Sequence, residues 1–135
     1  MVRIILGVIV GFVVWTILWL GSDKVLMSLS PAWYGSHQLT FEGALMTGTG
    51  FTPDPTILLI HIVRASIISI MSGFIAAMVA GENRKTPLAL GVVLLLVGVA
   101  VEAMAWNYLP IWYHLIFLVL IIPMTLLGGR MKQTA

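Results

Sequence analysis

Four side chains that can ionise lie within stretches that are otherwise apolar: His61, Arg64, Glu102 and His114. A charge inside hydrocarbon is costly enough that it faces protein or water and takes a partner, which makes these residues the first candidates for a site. Arg64 and Glu102 carry opposite charge and can form a buried ion pair. As a site, Arg64 would hold a lipid headgroup or small anion, and Glu102 would couple a proton to transport. His61 and His114 come from different stretches, the arrangement that a bis-histidine haem b or a quinone site between two helices requires. No spacing of His, Asp or Glu marks a metal site, and no cofactor is otherwise expected.

The elements that carry these residues follow from composition. Of 135 residues, 60% are hydrophobic and 9% are charged, and the mean hydropathy is +1.08; a water-soluble domain has roughly a quarter charged residues. The chain has no cysteine. That excludes disulfides, thiolate metal sites, iron-sulfur clusters and cysteine nucleophiles. With no basic patch, nucleic acid is not a partner.

Apolar runs long enough to span a bilayer predict an all-α integral membrane protein, a single domain (1–135) built as a four-transmembrane-helix bundle. The spans are expected near residues 4–21, 55–80, 87–108 and 110–128, with a segment at 22–54 joining the first two. Asp54 before Pro55 and Thr86 before Pro87 read as caps at helix starts, whereas Gly81 and the Gly128, Gly129 pair suit helix ends. Pro110 opens the fourth helix, and Pro123 should bend it. Leu20, Gly21 and Ser22 make a poor cleavage site, so the first span reads as a retained anchor.

Orientation follows from the basic residues. With both termini cytoplasmic, Arg3, Arg84, Lys85, Arg130 and Lys132 fall inside and Lys24 alone lies outside. The chain is expected in a bacterial-type inner or plasma membrane, with the lipid bilayer as its partner and a homo-oligomer or larger membrane complex as its assembly. The long external segment mixes Trp33, Tyr34, Phe41 and Phe51 with glycines and Pro31, so short interfacial helices or turns are expected there.

In this topology Arg64 and Glu102 each lie about seven residues from the outer interface, roughly 10 Å deep at about 1.5 Å per residue. Their pairing at matched depth is the central expectation. Small residues should form the helix contacts: Gly7 and Gly11 in the first span, Ser69 and Gly73 in the second, Gly91 and Gly98 in the third. Ser66, Ser69 and Ser72 should bond to their own helix backbone. Three functions remain open. The first is a non-enzymatic membrane protein whose polar cluster is structural or binds a headgroup; the others are a proton-coupled transporter and a membrane enzyme or redox protein.

Overall fold

A computed structural model of the chain describes residues 2–48 and 51–132; among them every regular element is helical and there is no strand. The helices are α1 (Val2–Leu29), α2 (Ser36–Thr47), α3 (Pro55–Ala80), α4 (Lys85–Met104) and α5 (Ile111–Met131). One π-helical turn, Pro31–Gly35, joins α1 to α2. Helices α1, α3, α4 and α5 are each long and apolar enough to cross a membrane.

The first helix runs well past the expected end at residue 21. Gly21, Ser22 and Asp23 are polar or small, but none of them prevents helical hydrogen bonding. Pro31, which lacks an N–H, is the first residue that cannot continue the ladder. Of the 22–54 segment, residues 49 and 50 lie outside the described residues. The rest supplies the end of α1, the π-turn and α2, which sit at one end of the bundle, the capped end.

Helix boundaries show which caps operate. Asp54 accepts the Thr56 N–H at 2.9 Å and Pro55 takes the first turn, as its sequence implies. Gly81 ends α3 in the left-handed conformation, φ 70°. Thr86 is not a cap. It is buried inside α4, and the Glu82 carboxylate instead accepts the N–H groups of Arg84 (2.5 Å), Lys85 (3.0 Å) and Thr86 (3.1 Å). Partial burial alone would raise the Glu82 carboxyl, but these backbone bonds win and hold it below its ordinary 4.5. Its stabilisation is therefore complete above 4.5 and is lost as the pH falls through the lower folded value. Glu82→Gln should cost ~1 kcal/mol of stability at neutral pH, with the gap to wild type closing under acid; a pH-independent gap would contradict this role.

Gly128 and Gly129 are not a terminator either, since both lie within α5, which continues to Met131. They are contact points. A Cβ on Gly128 would strike the backbone of Ile70, one on Gly129 the ring of Pro87, and one on Gly73 the carbonyl of Thr125. Backbone meets backbone at the α3–α5 crossing, the close approach that small residues permit. Gly7 and Gly11 do the same between α1 and α3. Their Cβ atoms would lie 2.7 Å from the Ala76 carbonyl oxygen and 2.9 Å from the Ala76 Cβ. Gly91 faces Ile122, and Gly98 faces Ile121 and Leu118 on α5.

Helix α3 is central, with half of its most apolar stretch buried, against 11% for α1. The core joins Leu58, Ile62 and Ala65 of α3 to Leu90 and Leu94 of α4 and to Tyr113, Phe117 and Ile121 of α5. Ser66 bonds its own helix, as expected, whereas Ser69 accepts from the Trp15 indole N–H at 3.0 Å and so ties α1 to α3.

Candidate functional site

Arg64 and Glu102 do not pair. Both lie toward the capped end, but each is held by other residues among those described. Arg64 points toward α1: Nε donates to Ser22 Oγ (3.0 Å) and Nη2 to the Trp19 carbonyl (2.6 Å). Nη1 donates to Tyr34 Oη (2.7 Å) and His61 Nδ1 (2.8 Å). Its guanidinium carbon sits 4.1 Å over the Trp19 ring, and Nη1 lies 3.8 Å from the Asp23 carboxylate. Every guanidinium nitrogen is committed, and the countercharge is Asp23. The matched-depth expectation fails on azimuth, because helix depth does not say which neighbour a side chain faces.

These bonds fix the proton positions around Arg64. Arginine can only donate, so His61 Nδ1 accepts and its Nε2 carries the proton, donated to Gln38 Oε1 at 3.2 Å. The same oxygen accepts from His37 Nδ1 (3.1 Å), and His37 Nε2 takes the Asp54 N–H (3.1 Å). Gln38 Nε2 and the Tyr34 hydroxyl both donate to Asp23 Oδ1, at 3.1 and 2.7 Å. Burial, reinforced by the bond to Asp23, pushes the Tyr34 hydroxyl well above its ordinary value. At the edge of this network the Trp33 indole N–H donates to Asp54 (2.6 Å) and, with the Thr56 N–H, holds that exposed carboxyl below its ordinary range. The network locks the π-turn and α2 onto α1 and α3.

Glu102 belongs to a second cluster. Its Oε2 accepts from His114 Nδ1, and the His114 ring stacks on Trp106 at 4.5 Å with 11° between planes. His114 is fully buried, and its Nε2 has no hydrogen-bond partner among the described residues. Tyr113 stands between the clusters, its ring 6.4 Å from His61 and 5.9 Å from His114.

A cavity of about 340 Å³ opens between α1 and α4 and touches both clusters. Helices α1 and α4 meet where Gly11 faces Leu90, and beyond that point they border the cavity, from Phe12 to Leu20 on α1 and from Leu94 to Glu102 on α4. Its depth is ~12 Å by helical rise. Aromatic and aliphatic side chains make up the body, among them Trp15, Trp19, Leu94, Phe117 and Ile121. His37, Gln38, His61 and Glu102 provide the polar lining. Leu20, Val97 and Val101 line the cavity while remaining 56%, 42% and 54% exposed, so its rim is continuous with the apolar outer surface. The volume falls in the range of small-molecule sites, roughly 300–1,000 Å³.

Of the residues singled out from sequence, His61 and Glu102 reach the cavity wall, whereas Arg64 and His114 stand behind it as supports. Asp23, Tyr34, His37 and Gln38 complete the site; of these, the sequence offers only Asp23, as an external carboxylate able to approach the mouth. A readable signal existed for α1: Gly7, Gly11, Trp15 and Trp19 recur every fourth residue, and continuing that stripe leads to Ser22 and Asp23. Among the described residues no group of three His, Asp or Glu could hold a metal ion. Comparison of the chain with protein-family models, curated proteins and solved structures finds no match. The site's own chemistry must therefore carry the functional reading.

Proposed function

We propose that this protein is a non-enzymatic, multi-pass membrane protein that binds a single-chain amphiphile. The chain of the ligand lies in the α1–α4 cavity and its head meets the polar lining. The observation that carries this reading is the cavity's two-part wall, apolar and aromatic along its body and lined by hydrogen-bonding groups at the capped end, with a rim of lipid-facing residues. Entry is sideways from the bilayer. Lipid tails are as apolar as the cavity, so burial alone gives little preference; shape and the head group supply selectivity. By the distribution of Lys and Arg, the termini and the α3–α4 turn face the cytoplasm and the capped end faces outward, in a bacterial-type inner or plasma membrane.

A haem reading loses its second ligand, because both His61 nitrogens and Nδ1 of His114 are engaged by protein partners. The carrier reading keeps one supporting observation, that Glu102 lines the cavity. Loss of uptake into vesicles in Glu102→Gln, with chain binding retained, would favour it.

Native mass spectrometry from nanodiscs tests the binding reading. Dodecanol should bind saturably, and Val101→Trp, which fills the rim without disturbing a buried residue, should weaken binding at least ~10-fold. Equal binding by the variant would overturn the assignment of the cavity.

A further inference from the structure

We infer that the head group this cavity takes is a cationic hydrogen-bond donor, an alkylammonium in chemical class, rather than a phosphate, sulfate or carboxylate. The inference rests on the amphiphile-binding reading and adds the identity of the head. Among the described residues no Lys or Arg lines the cavity, and Arg64, which stands behind its wall, is sealed away. It does not line the cavity, all three of its nitrogens donate to protein acceptors, and Asp23 stands beside it. An anionic head would meet no Lys or Arg among the lining residues.

The groups that do line the polar part favour a donor. Glu102 is 5% exposed, and only its Oε2 is engaged, by His114; Oε1 accepts no hydrogen bond from the described residues. A carboxyl in an aromatic-walled cavity is costly to ionise alone, and an ammonium would bring a countercharge while its N–H groups meet the oxygen that His114 leaves unengaged. Tyr113 and Phe117 line the same cavity and offer ring faces to a cation.

The test compares dodecylammonium, dodecanol and dodecyl sulfate, three heads on one chain, binding to the full-length protein in nanodiscs of zwitterionic lipid. The ammonium should bind about tenfold or more tightly than either of the others, and Glu102→Gln should bring it down to the affinity of dodecanol. Sulfate binding best, or all three binding alike, would overturn the head-group inference and leave the amphiphile reading standing. If no head gives saturable binding that Val101→Trp reduces, the amphiphile reading itself falls. Should Glu102→Gln fail to fold, as judged by circular dichroism, the wild-type series alone decides.

Discussion

Replacing Arg64 with leucine is expected to destabilise the protein by ~3–5 kcal/mol in detergent unfolding, because removing one partner of a buried pair strands the other groups. Asp23 would lose its countercharge, and the Trp19 carbonyl, Ser22 and His61 would each lose a donor. The identity of the partner can be measured separately. In a double-mutant cycle, Arg64→Leu with Asp23→Asn should show a coupling of ~1–3 kcal/mol, whereas Arg64→Leu with Glu102→Gln should be additive within ~0.5 kcal/mol. The reverse pattern would mean that Arg64 pairs across to α4. Arg64→Lys should recover little, since a single ammonium cannot reach the acceptors that the planar fork serves together.

Substitutions at the α3–α5 crossing should be comparably severe. Gly73→Ala and Gly128→Ala each drive a Cβ into opposing backbone, at Thr125 and Ile70, where no flexible side chain can move aside. Overpacking in a close-packed interior costs typically 1–3 kcal/mol, and a backbone obstacle places these two at ~3 kcal/mol or above. Gly21→Ala and Gly43→Ala provide the contrast. Both are helical positions with nothing within 4 Å of the new Cβ, so each should gain up to ~1 kcal/mol from helix propensity. If all four substitutions shifted the unfolding midpoint alike, close packing would not be what selects glycine at positions 73 and 128.

Four long apolar helices are legible in the sequence because hydropathy over about 20 residues reports directly on what can be buried in lipid. The cap at Asp54 and the left-handed stop at Gly81 are legible because each is a local backbone requirement. The end of α1 is not, since a helix stops where its hydrogen bonding fails, at Pro31, and not where its apolar run fades. That difference of about two turns places Asp23 in a loop instead of on α1, and so conceals it as the partner of Arg64. Gly128 and Gly129 mislead for a related reason: a glycine pair near the end of an apolar run suits a terminator and a close helix crossing equally well, and only the neighbouring helix distinguishes them. His37 and Gln38 are invisible from sequence because nothing local says that α2 folds back over the mouth of a cavity.

The space between α1 and α4 is proposed to hold an alkyl chain. Photo-crosslinking in nanodiscs with a diazirine placed along an alkylamine chain tests it most directly, with labelled positions read by peptide mass spectrometry. Label should concentrate on cavity residues, Phe12 and Trp15 of α1, Leu94 of α4 and Phe117 of α5, and should be displaced by excess unlabelled dodecylammonium. Label confined to the exposed outer residues Val13, Ile17 and Leu96, and unmoved by competitor, would contradict it.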